Sequence, residues 1–131
     1  MTKKTYYIGD LGNVMSDDTW NEVVGLVYPY KGVNKSRPVD GRFKLKDGRF
    51  FDIFSTALGD GIYDYGIAVD SGSIGCIEQK WMDHKEDIGT GIIVEMEDDF
   101  ISYSIEGNIF IGPYNINTSS LSWMKEGDLV K

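Results

Sequence analysis

The alternation of apolar and polar residues predicts short strands and one helix. Residues 5–8 form an apolar, β-prone run that ends at a Gly-Asp pair, and we expect a first strand there. Ser16 then precedes two aspartates, which is the pattern of a helix N-cap followed by an acidic first turn. Pro29 ends this helix, and its apolar face is formed by Trp20, Val23, Val24 and Val27.

The next predicted element is a β-hairpin that turns at Asp47-Gly48. Both central residues of a type I′ turn need a positive φ, and Asp-Gly supplies it. This turn pairs Phe43 with Asp52, so Asp52 falls on the apolar face, where its carboxylate needs hydrogen bonds or a raised pKa. A bulge in the second strand is the alternative that removes this conflict. One predicted face carries Phe43, Leu45, Phe50 and Phe54, and the other carries Arg42, Lys44, Lys46, Arg49 and Phe51.

Residues 91–112 predict a three-stranded meander with turns at Asp98-Asp99 and Gly107-Asn108. Ile93 and Ile111 fall on its polar face, so we expect the helix or another subunit to cover them. The predicted apolar face consists of Ile92, Val94, Met96, Ile101, Tyr103, Ile105 and Phe110.

Together these elements predict an α+β fold that is mainly antiparallel β. We expect about seven to nine short strands, in a meander or partly closed sheet, with one amphipathic helix near the N-terminus. The 131 residues are expected to form a single domain, residues 1–131. Within a further strand near residues 74–77, Cys76 is expected to be a small buried side chain. His84 lies in a charged segment and is expected to be solvated, and Trp123 is expected to pack on the sheet or on a neighbouring chain.

Composition and net charge limit the kinds of protein that this chain can be. The chain is 41% hydrophobic and 13% aromatic, which is typical of a globular protein. The net charge of −8 argues against a non-specific binder of duplex DNA, which needs a basic face. Residues 31–49 nevertheless carry seven basic and two acidic side chains, a balance of +5 that leaves −13 for the remainder. This basic segment is either a solvated hairpin and loop or a pocket for a small anion, and the acidic remainder leaves mimicry of a polyanion open.

The sequence also indicates a compartment. No apolar run approaches the roughly 18 residues that cross a bilayer, so no membrane partner is expected. The first ten residues, MTKKTYYIGD, lack the hydrophobic segment of a secretory signal. Cys76 is the only cysteine, which excludes an intrachain disulfide and makes the cytoplasm the expected location.

The Gly-, Asp-, Ser- and Tyr-rich stretch at residues 55–75 matches no catalytic motif. Its segment 59–61 is a turn or a loop that approaches a ligand, but it lacks the lysine and the spacing of a P-loop. No histidine lies near Ser55 or Ser71 in sequence, which argues against a Ser-His-Asp triad. The spacing of Asp60, Asp64 and Asp70 does not match a calcium loop, and a carboxylate pair for hydrolysis remains an alternative, drawn from Asp10, Asp52, Asp60 and Asp70. No catalytic residue, metal or cofactor is therefore predicted.

The basic hairpin and the following loop do supply the parts of a nucleotide pocket. Guanidinium groups bind phosphate oxygens bidentately, and aromatic rings stack on bases for about 1–3 kcal/mol each. The alternative is that the aromatic side chains belong to the core and the cations are solvated. The predicted ligand-binding residues are Arg42, Lys44, Arg49, Phe51, Ser55, Thr56, Asp60, Tyr63, Tyr65 and Ser71.

A pattern of short motifs spans residues 5–77. It runs YYIGD, a helix with Trp20, STALGDGIYDYG and VDSGSIGCI, in that order. The pattern resembles a family of small bacterial and bacteriophage proteins without an established activity. Members of that family commonly carry a cysteine or proline after the YIGD turn, where this chain has Leu-Gly-Asn at residues 11–13. The resemblance implies no catalytic residues.

The predicted pocket indicates a function, and a phage origin is compatible with the small size and acidity of the chain. Some small phage proteins are sponges that bind the cyclic nucleotides of bacterial immunity without cleaving them. We therefore expect a non-enzymatic anti-defence sponge for a cyclic (di)nucleotide, acting in the host cytoplasm. We expect a homo-oligomer that uses the face of Ile93 and Ile111 and the Trp123 tail. The alternatives are an acidic inhibitor that binds a host protein and a small carboxylate-dependent hydrolase.

Overall fold

The structure, a computed structural model, describes residues 2–27, 40–84, 91–98 and 100–119. These residues contain ten strands and one helix. The mainly antiparallel α+β fold with its helix near the N-terminus is confirmed. Single 3-10 turns occupy Leu11–Asn13, Asp64–Gly66 and Gln79–Trp81. The regular elements are β1 (Lys3–Gly9), α1 (Asp17–Val27), β2 (Gly41–Lys44), β3 (Phe50–Ser55), β4 (Gly61–Ile62), β5 (Ala68–Val69), β6 (Ser73–Glu78), β7 (Ile92–Glu97), β8 (Ser102–Ile105), β9 (Asn108–Ile111) and β10 (Tyr114–Asn117).

A five-stranded antiparallel sheet in the order β2-β3-β6-β1-β7 separates two hydrophobic cores. On what we call the helix-side face, Tyr7, Phe51 and Ile77 pack with Val23 and Val27 of α1. The opposite face, called the sheet-side face, is covered by a second, three-stranded sheet in the order β10-β9-β8. Its core contains Tyr6, Ile8, Phe54, Ile74, Cys76, Val94, Ile109, Ile111 and Ile116. A short pair of strands, β4 and β5, contributes Val69 to the same core.

The predicted helix is confirmed from its first turn. The Ser16 hydroxyl accepts a hydrogen bond from the Thr19 backbone N–H at 3.2 Å, which satisfies one of the unpaired donors of the N-terminus. Val23 and Val27 are fully buried against the five-stranded sheet. Valine and glycine are poor helix formers, so this packing stabilises the helix more than its intrinsic propensity does. Pro29 lies outside the described residues.

The predicted register of the β2–β3 hairpin is wrong by one residue. The Leu45 N–H donates to the Arg49 carbonyl and the Gly48 N–H to the Leu45 carbonyl, which makes a three-residue loop instead of a two-residue turn. Gly48 has a φ of 99°, which suits the glycine position of such a loop. Phe43 therefore pairs with Phe51, and both point to the helix-side face. Asp52 is paired with Arg42 and is buried on the sheet-side face, not on the face of Phe43 where the two-residue turn would place it.

The predicted meander is also wrong in its pairing. β7 pairs with β1 in the large sheet, and only β8 to β10 form the second sheet. The turn between β8 and β9 lies at Glu106 and Gly107, whose φ angles of 50° and 79° fit a type I′ turn, so Asn108 already belongs to β9. Phe110 therefore pairs with Tyr103 instead of Ile105, a shift of two residues that keeps these three side chains on one face. That face points outward, because Ile109 and Ile111 on the other face pack in the sheet-side core.

The prediction that Ile93 and Ile111 share one face is wrong, whereas the expectation that the helix side covers Ile93 is confirmed. Ile93 is partly buried against the helix-side core, and Ile111 is fully buried in the sheet-side core. The two side chains therefore lie on different sheets, and each is covered within the chain. Cys76 is buried and His84 is exposed, as predicted. Part of the basic segment at residues 31–49 and the tail with Trp123 fall outside the described residues. Among the described residues, no helix has the length and apolarity to cross a membrane.

Candidate functional site

The predicted ligand-binding residues do not converge on one pocket. Arg42 and Lys44 lie on the exposed part of β2, whereas Phe51 is 1% exposed in the helix-side core. Arg49 also extends to the helix side, because the hairpin loop places it beyond the paired strands. The remaining predicted residues belong to the loops at residues 55–72, roughly 10 Å along β3 from Arg42 at about 3.3 Å per residue. They are Ser55, Thr56, Asp60, Tyr63, Tyr65 and Ser71.

Arg42 is engaged with a buried carboxylate. Its Nε and Nη2 donate to the two oxygens of Asp52 at 2.5 and 3.0 Å, and the Ser102 hydroxyl donates to the same carboxylate at 2.6 Å. The guanidinium also lies 5.0 Å from the ring centre of Phe50 and 5.3 Å from that of Phe100. The hydrogen bond to Asp52 raises the pKa of Arg42. This ion pair connects β2 and β3 to the second sheet, so it has a structural role.

Arg49 is held between the hairpin and the segment after β6. Its guanidinium donates to the Trp81 carbonyl at 2.8 Å and to the Asp83 carboxylate at 3.0 Å. The pKa of Asp83 is lowered to about 2, because hydrogen bonds from Ser16, Thr19 and Arg49 outweigh the opposing effect of burial. Arg49 therefore anchors the hairpin to the start of α1.

The loop residues bind one another. The hydroxyls of Thr56 and Tyr63 both donate to the Gly59 carbonyl, at 2.9 and 2.6 Å. Tyr65 is 52% exposed and meets Tyr114 edge to face with ring centres 5.7 Å apart. The Ser55 N–H donates to Asp40 at 2.8 Å, and Asp60 is exposed. These contacts shape the loops at residues 55–72, and of the predicted ligand-binding residues there Asp60 and Tyr65 are exposed.

Asp10 is the centre of a buried polar cluster. Its carboxylate accepts hydrogen bonds from the N–H groups of Gly12, Asp70 and Ser71 at 3.0, 3.0 and 3.1 Å, and from the Ser71 hydroxyl at 2.9 Å. Asp10 is 1% exposed. Burial, and next the hydrogen-bonded Asp70 side chain, raises its pKa to about 6. Asp10 thus joins the end of β1 to the turn between β5 and β6.

This cluster explains the motifs on which the resemblance rests. YYIGD contributes Asp10, VDSGSIG contributes its partners Asp70 and Ser71, and GDGIY contributes the Tyr63 bond to Gly59. A Cβ at Gly75 would lie 2.6 Å from Leu11 Cδ1, so the glycine is required for the close approach of the two segments. The motifs therefore meet in space, and their contacts are those of a folded framework. Of the four acids considered for hydrolysis, the structure brings together only Asp10 and Asp70, since Asp52 pairs with Arg42 and Asp60 is exposed.

A different group of residues forms a cleft with binding chemistry. The cleft has a volume of about 450 Å³ and lies where β6 ends and β1 continues past it. We call it the Glu78 cleft. Its lining residues are Lys4, Thr5, Glu78, Gln79 and Lys80. This volume falls within the range of about 300–1,000 Å³ that is usual for small-molecule sites.

Two cations flank the carboxylate of this cleft. Lys4 Nζ lies 3.2 Å from Glu78 Oε1, and Lys80 Nζ lies 3.2 Å from Oε2. Glu78 is 3% exposed, whereas the side chains of Lys4 and Lys80 are 37% and 63% exposed. The Lys4 ammonium is close enough to Oε1 for an ion pair but outside the angles of a hydrogen bond, and no other described residue donates to this oxygen. Oε1 is therefore a buried acceptor that faces the Lys4 ammonium and receives no hydrogen bond from the described residues.

Aromatic side chains lie next to two of the residues that line the cleft. The Lys80 ammonium lies 5.5 Å from the ring centre of Trp81, whose ring meets Phe50 edge to face at 4.9 Å. Tyr6 is paired with Glu78 across the sheet. Burial, and next the charge of Glu78, raises the pKa of Tyr6 to about 12, so its hydroxyl stays protonated at neutral pH. The site thus combines cations, a buried acceptor and neighbouring rings.

Sequence reasoning missed the Glu78 cleft, although one signal was present. Ile74 and Cys76 are two residues apart on β6 and both point to the sheet-side face. Glu78 is the next residue at this spacing, so a charged side chain lies on an otherwise apolar face. A charge at an apolar position of a strand marks a site that needs partners. The partner Lys4 is separated by more than seventy residues, so only the sheet pairing of β1 with β6 reveals it. Among the described residues, no group of three His, Cys, Asp or Glu side chains is arranged to hold a metal ion.

Comparison of the chain with protein-family models, with curated proteins and with solved structures finds no match.

Proposed function

We propose that this protein binds a small phosphorylated ligand in the Glu78 cleft without cleaving it, and that the ligand is a cyclic mono- or dinucleotide. The observation that carries the proposal is the pair of lysine ammonium groups on either side of a buried carboxylate whose Oε1 lacks a hydrogen-bond donor. Holding such a signal intact is the activity of a sponge, which is the function that the sequence led us to expect.

Each group in the cleft matches a part of a nucleotide. The ammonium groups of Lys4 and Lys80 suit phosphate oxygens, because charge-assisted hydrogen bonds are stronger than neutral ones. Glu78 Oε1 suits an N–H donor, and a base that presents an amino group or a ring N–H supplies one. The ring of Trp81 lies beside Lys80 and offers a surface for stacking. A base with adjacent donors, such as guanine, fits these groups better than a base with acceptors alone.

Binding measurements on the full chain test the proposal. Thermal-shift measurements and calorimetry would use a panel of cyclic mono- and dinucleotides that differ in their bases. We expect guanine-containing members to raise the melting temperature and to be recovered intact by mass spectrometry after denaturation. Recovery of a cleaved product would favour a hydrolase and contradict this proposal.

Matched substitutions locate the site. Lys4→Gln and Lys80→Gln each remove a charge-assisted hydrogen bond of roughly 1.5–3 kcal/mol, so each is expected to weaken binding at least about tenfold. Lys46→Gln removes an exposed lysine of the hairpin loop and is the control that leaves the affinity unchanged. The proposal fails if no cyclic nucleotide shifts the melting temperature, or if Lys46→Gln weakens binding as much as the cleft variants.

A further inference from the structure

The outer face of the second sheet is exposed and apolar. Ile101, Tyr103 and Ile105 are 72%, 48% and 55% exposed, and they alternate along one side of β8 and the residue before it. The Tyr103 ring stacks on Phe110 of β9 with ring centres 4.8 Å apart, so the two strands share one surface. Five large hydrophobic side chains of the described residues are exposed, and three of them lie on this face. Exposed apolar side chains that cluster in this way mark an interaction surface.

The same face carries no charge among its described residues. The strand pairing places Asn115 of β10 beside Phe110, and Asn117 beside Asn108, on this side of the sheet. Yet 26% of the residues of the chain are charged and its net charge is −8. The described residues of this face therefore offer no charge complementarity to a basic or an acidic partner. Two copies of an acidic chain repel each other elsewhere on their surfaces, so an uncharged face is where they can approach at the lowest electrostatic cost.

We propose that this outer face, which contains Ile101, Tyr103, Ile105 and Phe110, is the dimer interface with a second copy of the chain. A twofold pairing places the same surface on both sides, so apolar side chains meet apolar side chains. Asparagine amides both donate and accept hydrogen bonds, so Asn108 and Asn115 can form reciprocal hydrogen bonds across the interface. The interface differs from the one expected from the sequence, and it is independent of the ligand.

Sedimentation velocity of the full chain from about 1 µM to 1 mM tests the proposal. We expect a monomer–dimer equilibrium for the wild type. Ile105→Lys would place an uncompensated charge in the interface twice because of the twofold symmetry, and we expect the dissociation constant to rise at least about 100-fold. Leu58→Lys is the matched control, since Leu58 is 52% exposed and lies in the loop after β3. Circular dichroism confirms that each variant is folded.

Three results would overturn the proposal. The first is a wild-type chain that stays monomeric up to about 1 mM. The second is a dimer that persists in Ile105→Lys or that Leu58→Lys disrupts equally, because a different surface would then form the interface. The third is a monomeric chain that dimerises only after Trp123→Ser, which would mean that the segment after Ser119 occupies the face. The last described residues, whose Thr118 N–H donates to the Gly107 carbonyl, bring that segment to this edge of the sheet.

Discussion

Arg42→Met removes the guanidinium that neutralises Asp52 and keeps most of the alkyl stem. Asp52 is 1% exposed and would retain only the hydroxyl of Ser102 among the three side-chain hydrogen bonds it now accepts. Removing one partner of a buried ion pair costs about 3–5 kcal/mol, because the other charge stays buried without compensation. The substitution is therefore expected to destabilise the native state far more than an ordinary surface change.

The exposure of Arg42 sets the size of the effect. Its side chain is 49% exposed, so water screens part of the interaction and the lower end of the range applies. We expect the free energy of unfolding to fall by about 2–3 kcal/mol. For a chain of this size each kcal/mol lowers the melting temperature by roughly 4 °C, so the expected decrease is about 10 °C.

Urea denaturation followed by tryptophan fluorescence measures the loss. Lys44→Met is the matched control, because Lys44 is exposed two residues further along β2, and it should change the stability by less than about 0.5 kcal/mol. The double variant Arg42→Met with Asp52→Leu removes both charges and should recover most of the loss. The reasoning is refuted if Arg42→Met costs less than about 1 kcal/mol, or if the double variant is no more stable than the single one.

Further predictions concern the contacts that join β1, β5 and β6. Asp10 should titrate near its raised pKa of about 6 in a carbon-13 NMR titration, and Asp70→Asn should lower that pKa. Because the pKa of Asp10 in the unfolded chain is 3.8, the native state keeps the Asp10 proton to higher pH. The stabilisation from this proton is complete below about pH 4, and the free energy of unfolding falls by about 3 kcal/mol as pH rises through 6. A melting temperature that does not change with pH over that window would contradict this. Gly75→Ala should lower the free energy of unfolding by about 1–3 kcal/mol, because the added methyl group overpacks against Leu11. The double variant with Leu11→Ala should lose less than the sum of the two single losses, and additive losses in urea denaturation would contradict the contact. Cys76 is 2% exposed and burial raises its pKa, so a thiol reagent should label it only after unfolding, and rapid labelling of the native protein would argue against this position.

Sequence patterns within a single segment correctly predicted the helix α1 and the strand β6. The Ser16 cap and the valines at helical spacing identified α1, because a helix is specified by neighbours three or four residues apart. The alternation of Ile74 and Cys76 identified β6 in the same way. Both predictions depend on one segment at a time, and both are confirmed.

Strand pairing failed where one residue decides the register. The Asp-Gly pair at residues 47–48 favours a two-residue turn, but the structure has a three-residue loop that moves Phe51 to the opposite face from the predicted one. Near residue 107, Glu106 adopts a positive φ that its residue type does not indicate, so the turn begins one residue earlier than predicted. A shift of one residue exchanges the two faces of a strand. In the hairpin this exchange is why the predicted ligand pocket does not form. Near residue 107 the partners shift by two residues, so Tyr103, Ile105 and Phe110 stay on one face. They are exposed because the opposite face of that sheet, with Ile109 and Ile111, packs in the core.

The contacts of the motif residues within 5–77 are distinct from those of the Glu78 cleft. Asp10 is occupied by Asp70 and Ser71, and Gly75 lies under Leu11, so these motif residues are explained by packing without any ligand. The cations of the Glu78 cleft lie at residues 4 and 80, just outside the stretch 5–77 that carries the resemblance. A protein with the same motifs but without these lysines is therefore expected to share the fold and to lack the ligand site. Transplanting Lys4, Glu78 and Lys80 into such a protein should confer cyclic-nucleotide binding if the cleft alone determines recognition, and failure to do so would show that recognition depends on residues beyond it.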